Sequence, residues 1–315
     1  MTVRLAFLGN DPWSVPPLEA IAGEPDLEIA LVVTNLPKPA GRGSALRPTA
    51  VAETARRLGL PLAEVEGVRR GAGFEALLAS APHVLVVVAY GELLTREVLE
   101  VAPHGALNLH FSLLPRWRGA APVQHAILAG DDLTGVTVMR MDEGFDTGPI
   151  LNQLEEQIRA EDDAGTLGAR LSHLGGMLLT GVVRSLPVGT LPGRSQDERL
   201  VTWAPRFGPD DRLIDWSSDP GLIARRVRAL APDPGATTTF RGAVVKVLGS
   251  GVAHAPDDVA GHPSGTIVGV EARGVLVAAG GGGVWLSEVA PAGRRRMPAA
   301  DWARGARFAA DERLG

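Results

Sequence analysis

Cysteine is missing from all 315 residues. That absence removes disulfides, thiolate metal sites, iron–sulfur clusters and a cysteine nucleophile together. Lysine is nearly missing too: of 31 basic residues only Lys38 and Lys246 are lysines, so arginine carries the positive charge. No apolar run approaches the ~20 residues that span a bilayer; the longest, such as residues 84–90, are short. The start of the chain has no charged lead before a long apolar stretch, and it reads as a first strand rather than a signal peptide. An excess of positive charge is lacking as well. The net charge is −5, which argues against a surface that coats nucleic acid.

What is present is ordinary for a chain with a proper core: 45% hydrophobic and 21% charged residues. The length implies two domains at roughly 100–200 residues each. A soluble, cytoplasmic enzyme is the class that survives. The charge is uneven. From Phe207 onward 13 basic residues face 12 acidic ones, so the acidic excess sits in the earlier part and the C-terminal part is the more able to guide a polyanion.

Short β-branched or strongly apolar runs at residues 3–9, 28–34, 84–90, 106–109 and 136–141 are bounded by Gly, Pro, Asn or Asp, as strands are. Between them, residues 14–22, 49–58 and 73–80 space apolar positions by three and four, and 165–185 adds a later helix. Alternation of this kind predicts a Rossmann-like α/β domain built on an open, mostly parallel sheet. Proline and glycine crowd residues 186–206, which read as a connection with few large apolar groups. A helix at 220–230 follows, then five short strand candidates at 237–240, 244–248, 265–270, 275–279 and 284–289. That pattern predicts a small OB-type β-barrel. The resulting division is residues 1–189, a linker at 190–206, and 207–315.

One stretch concentrates chemistry: Asn108-Leu109-His110-Phe111-Ser112-Leu113-Leu114-Pro115-Arg116-Trp117-Arg118-Gly119-Ala120-Ala121-Pro122. It leaves the end of a strand, where open sheets place their ligands. Side chains two apart in a strand share a face, so Asn108 and His110 present an amide and an imidazole side by side. Both can donate to an oxygen gaining negative charge. A second stretch, Asp142-Glu143-Gly144-Phe145-Asp146-Thr147-Gly148, follows another strand and delivers a carboxylate to the same sheet edge. Asp146 there can orient an imidazole and accept a proton.

The missing motifs narrow the chemistry further. No Gly-x-Ser-x-Gly elbow makes Ser112 a nucleophile, no His-Glu-x-x-His binds a metal, and the first strand runs into Leu8-Gly9-Asn10-Asp11-Pro12 rather than a dinucleotide fingerprint. An amide, an imidazole and a carboxylate suit acyl transfer to an amine, with an oxyanion to stabilise and one proton to remove.

The paired stretches resemble those of the folate-dependent formyltransferases, and the resemblance covers nearly the whole chain. Pro39-Ala40-Gly41-Arg42-Gly43, Val87-Val88-Ala89-Tyr90-Gly91, Thr202-Trp203-Ala204-Pro205, Ile214-Asp215-Trp216 and the run from Pro291 to Met297 carry it further. One departure is Phe111, where the family pattern calls for a small residue. The resemblance implies 10-formyltetrahydrofolate as donor, no metal, and the amino group of methionyl initiator tRNA as acceptor. It implies Asn108, His110 and Asp146 as catalytic residues, and Ser112, Leu113, Leu114, Pro115, Tyr90 and Gly91 along the folate. For tRNA it implies Arg42 and Lys38, with Arg241, Lys246, Arg294 and Arg295 on the barrel; the last two, with Arg296, equally suit a solubilising charged turn. A monomer with no membrane partner is expected. At the level of sequence two alternatives stay open: a relative acting on a sugar-nucleotide amine or glycinamide ribonucleotide, and a non-catalytic RNA-binding relative.

Overall fold

A computed structural model describes residues 2–40, 45–188, 192–253, 259–309 and 312–315. The chain divides into two compact units. The first comprises Met1–Pro122, Leu133–Gln157 and Gly168–Ala204, and the second Val123–Asp132, Ile158–Leu167 and Pro205–Gly315.

The first unit is organised by a seven-stranded sheet. In chain order its region contains β1 (Val3–Gly9), α1 (Val15–Ala22), β2 (Leu27–Asn35), a two-stranded hairpin of β3 (Lys38–Ala40) and β4 (Ala45–Arg47), α2 (Ala50–Leu58), β5 (Leu62–Val65), α3 (Ala72–Ser80), β6 (Val84–Val88), α4 (Arg96–Leu99) and β7 (Ala106–His110). After α5 (Pro122–Ala129), which from Val123 belongs to the second unit, come β8 (Leu133–Arg140), β9 (Ile150–Gln157) and the long α6 (Ala164–Ser185), which belongs to the first unit from Gly168 on. The sheet order is β5-β2-β1-β6-β7-β8-β9. The first five strands are mutually parallel, while β8 and β9 run antiparallel at one edge.

Local sequence explains these elements. β6 is Val-Leu-Val-Val-Val and buried throughout, as expected of a strand covered on both faces. Thr49 caps α2 by accepting from the Ala52 amide, and Gly59 ends it in the left-handed region. The order in which the chain adds strands reverses between the parallel neighbours β1 and β6, and an open sheet binds ligands beyond the strand ends near such a point. β9 departs from the predicted strands. Its Ile-Leu-Asn-Gln-Leu-Glu-Glu-Gln sequence is too polar to read as one, yet it pairs along β8 as an edge strand.

The second unit carries α7 (Pro220–Leu230), β10 (Ala236–Phe240), β11 (Ala243–Val252), β12 (Ile267–Glu271), β13 (Gly274–Ala279), β14 (Gly282–Pro291), β15 (Met297–Pro298) and α8 (Ala299–Ala306). Its sheet is antiparallel, in the order β10-β11-β14-β13-β12 with β15 on β14. Ile223, Val227 and Leu230 of α7 and Trp302 of α8 close over Val247, Val277 and Leu286 to make its core. Among the described residues no helix is long and apolar enough to cross a membrane.

Candidate functional site

The site forms at the carboxyl end of β7, where Asn108 and His110 emerge. The strand extends one residue further than its sequence signal, so His110 is held within the sheet and is buried. Its Nε2 lies 2.8 Å from the Trp117 carbonyl oxygen. A carbonyl can only accept, so Nε2 carries a hydrogen and Nδ1 is the nitrogen turned toward Asp146. Nδ1 stands 3.6 Å from Asp146 Oδ2. Asn108 Nδ2 lies 3.4 Å from Asp146 Oδ1, and the Gly119 amide donates to Oδ2 at 2.9 Å. Asn108, His110 and Asp146 therefore meet, and Gly119 joins them through its main chain.

The backbone around this meeting point is under constraint. Trp117 (φ 63°) and Asp146 (φ 54°) both occupy the left-handed region, which costs of order 1–3 kcal/mol for a residue with a side chain. Asp bears that conformation better than most. Gly148, two residues on, passes so close to the Arg140 carbonyl that any Cβ would overlap it. Strain of this kind persists only where surrounding contacts over-determine it.

Those contacts come largely from residues 192–204, inside the segment read from sequence as a linker. Here that segment is fastened to the site. Gln196 Nε2 donates to the carbonyls of Asp146 (2.7 Å) and Gly148 (2.8 Å). Trp117 N donates to Thr202 Oγ1 and Arg118 N to the Thr202 carbonyl, while Ala204 N donates back to Arg118 O. Arg118, 1% exposed, is the largest fully buried side chain among the described residues. Its guanidinium reaches Gln196 Oε1 at 3.0 Å and both carboxylate oxygens of Glu198 at 3.2 and 2.8 Å.

The Ser112–Pro115 loop is held from beneath. Ser112 Oγ donates to the Arg116 carbonyl. Buried Thr137 donates to the Ser112 carbonyl at 2.6 Å and accepts from Leu114 N at 3.1 Å. Gln153 Nε2 donates to the Leu114 carbonyl and to Thr137 Oγ1, and Arg194 holds the other end of Gln153. Leu114 packs with Met139 and Ile150. The loop's own side chains thus point largely inward.

Tyr90 likewise turns its ring into the core around β6, and burial, with Glu92 nearby, pushes its phenol well above the usual range. The Tyr90 carbonyl accepts from Asn10, whose other side-chain atom accepts from Thr34 Oγ1 and the Asn35 amide. Gly91 follows with φ 82°. Phe111 is buried against Trp13, ring centroids 5.7 Å apart, and leaves the three site residues together.

The basic candidates are dispersed. Lys38 opens β3 and is exposed, while Arg42 lies outside the described residues. Arg241 pairs with Glu312, lies 4.7 Å from the Phe240 ring centroid and donates to the carbonyls of Ala306 and Arg307, closing the end of α8. Lys246 faces Asp233 at 3.6 Å. Arg294 and Arg295 are exposed in the turn before β15. Among the described residues, no group of three or more His, Asp or Glu side chains is placed to hold a metal.

Comparison with known proteins agrees with this architecture. The Formyl transferase family model matches residues 4–183, and the model of the Formyl transferase C-terminal domain matches residues 206–307. Methionyl-tRNA formyltransferase of Thermus thermophilus is 44% identical over 313 residues, covering 99% of each chain. This chain belongs to the methionyl-tRNA formyltransferase family. The Frankia alni member is 41% identical over 314 residues, covering 99% of this chain and 94% of its own. The fold is shared with HypX from Aquifex aeolicus in complex with tetrahydrofolic acid, at a TM-score of 0.66 and 16% identity over 99% of this chain and 49% of that one.

Sequence reasoning missed the supporting residues. Arg118 sits within the quoted motif, but nothing there marks its guanidinium as buried. Gln196 lies in a stretch without periodicity, and no local signal points to it.

Proposed function

We propose that this formyltransferase moves the formyl group of 10-formyltetrahydrofolate to the free amino group of methionyl initiator tRNA. The observation that carries the reading is the convergence of Asn108, His110 and the Gly119 amide on Asp146 at the end of β7. The attacking amine must be neutral, add to the formyl carbon and then lose a proton. Asn108 Nδ2 would donate to the formyl oxygen as it gains charge, an effect of about 3–4 kcal/mol for a well-placed donor, and His110 would join it with a ring N–H released from its resting contact. Asp146 would orient His110 and take the proton, directly or through a water. The folate would lie along the main chain of Tyr90–Gly91 and of residues 112–115, whose inward side chains hold these loops still.

The tRNA would contact Lys38 and Arg42 in the first unit and Lys246, Arg294 and Arg295 in the second. Arg241 is better suited to holding α8 than to meeting a phosphate. The antiparallel sheet of the second unit would form the OB-type barrel. The breaks in register along β11, between Val247, Gly249 and Ser250, supply the bending that closure needs.

The test incubates the full chain with 10-formyltetrahydrofolate and methionine-charged initiator tRNA, and follows formylmethionyl-tRNA on acid gels. Product formation is expected. Absence of product, with turnover on an amino sugar nucleotide or glycinamide ribonucleotide instead, would replace the tRNA reading with the corresponding relative.

A further inference from the structure

Asp146 is held in place by something other than its own loop. Its carboxylate is approached by Asn108, His110 and Gly119, but its backbone sits at φ 54°, a conformation uncommon for any residue with a side chain. Within the loop, Asp142 accepts from the Gly144 amide and the Thr147 hydroxyl, which tie its front but leave the carbonyls of Asp146 and Gly148 to be held from outside. Gln196 holds both. One primary amide has two hydrogens and one oxygen to place, and all three are used: the hydrogens on the carbonyls of Asp146 and Gly148, the oxygen on Arg118 Nε.

Arg118 in turn is fixed. A guanidinium that is 1% exposed is tolerated only when its donors are satisfied. Glu198 satisfies two of them through a two-pronged contact. The main chain of Arg118 is also stitched to Thr202 and Ala204, and the next residue is Gly119, whose amide holds the Asp146 carboxylate. One side chain therefore joins the loop that carries the carboxylate to the loop that supplies its donor.

We propose that Gln196 is a positioning residue for the formyl transfer, setting Asp146 through a Glu198–Arg118–Gln196 strut built from the segment that follows the catalytic sheet. The inference rests on the role given to Asp146 above and extends it to a residue that acts through Asp146. Its function is geometric: an error of about 1 Å in a reacting group costs on the order of a hundredfold in rate.

The experiment measures steady-state formylation by the full chain and by Gln196→Met, which keeps the side-chain length and removes both donors. A ten- to hundredfold fall in kcat is expected, with KM for the folate donor and for the tRNA nearly unchanged. In an Asp146→Asn background the same substitution is expected to cost almost nothing further, because the residue it positions is already disabled. A residue that merely stabilised the fold would lower the two backgrounds equally. Gln196→Glu keeps the acceptor for Arg118 and loses the donors, so it carries the same expectation if Gln196→Met is recovered unfolded. Arg199→Ala, whose exposed guanidinium engages Asp197, is the neighbouring control.

Wild-type kcat in Gln196→Met, or an equal loss in both backgrounds, would overturn the proposal. So would failure of both Gln196 variants to fold, which would make the residue one of folding. A wild-type chain that formylates no methionyl-tRNA would instead overturn the functional reading, and the two failures are distinguishable.

Discussion

Asp146 accepts from two directions at once, Asn108 on one oxygen and the Gly119 amide on the other. Only a group with two acceptor oxygens satisfies both. Asp146→Asn must turn an NH2 toward one of these donors, and it loses the negative charge that faces His110 Nδ1. Turnover is therefore expected to fall about a hundredfold or more, the usual scale for a general acid–base group. Binding of the folate donor should persist, because the 112–115 loop is held by Thr137 and Gln153 rather than by Asp146. Stopped-time formylation assays and a fluorescence titration with the folate separate the two effects. Near-normal turnover in the variant would remove Asp146 from the chemistry.

At the level of elements, the site depends on the antiparallel strands as much as on the buried parallel ones. Thr137 of β8 is fully buried and serves the Ser112–Pro115 loop as donor and acceptor together. Thr137→Val preserves shape but leaves the Ser112 carbonyl and Leu114 amide unpartnered in the interior, a cost of about 1–3 kcal/mol. In a domain of this size that corresponds to about 2–4 °C of melting temperature per kcal/mol. The variant is also expected to show a raised KM for the folate donor, and calorimetry with initial-rate kinetics checks both. A raised KM without loss of stability would mean that Thr137 acts at the site rather than beneath it. The strands that were legible in the sequence are those whose burial writes a β-branched run, β1, β2 and β6. The period of two also placed Asn108 and His110 on one face of β7. β9 was not legible, because an edge strand pairs by its main chain and its outer side chains are free to be Glu and Gln. The fastening by residues 192–204 was hidden for a related reason. It consists of side-chain bonds, such as those of Gln196 to carbonyls 48 and 50 residues away, and of main-chain bonds joining Thr202 and Ala204 to the still more distant Arg118, and such bonds leave no periodic trace.

Across the whole molecule, two kinds of arginine have to be told apart, and the sequence alone shows them as one. Arg241 in the second unit engages Glu312 and two carbonyls at the end of α8, so its charge is committed to the fold. Arg294 and Arg295, in the exposed turn before β15, leave their side chains toward solvent. With a net charge of −5 the chain repels a polyanion at long range, and attraction for tRNA has to come from local clusters such as this turn. Each neutralised phosphate releases counterions, so the logarithm of affinity falls with the logarithm of salt in proportion to the number of phosphates engaged. Arg294→Ala with Arg295→Ala is expected to weaken tRNA binding and to flatten that dependence by about one unit of slope for each phosphate no longer neutralised. The melting temperature should barely move. Arg241→Ala should do the reverse, lowering the melting temperature while the salt slope stays that of the wild type. Filter binding over a range of potassium chloride concentrations, paired with thermal unfolding of each variant, measures both quantities. A flattened slope in Arg241→Ala with unchanged stability would show that its bonds to the end of α8 yield to phosphate, and would move the tRNA surface from the turn to the end of that helix.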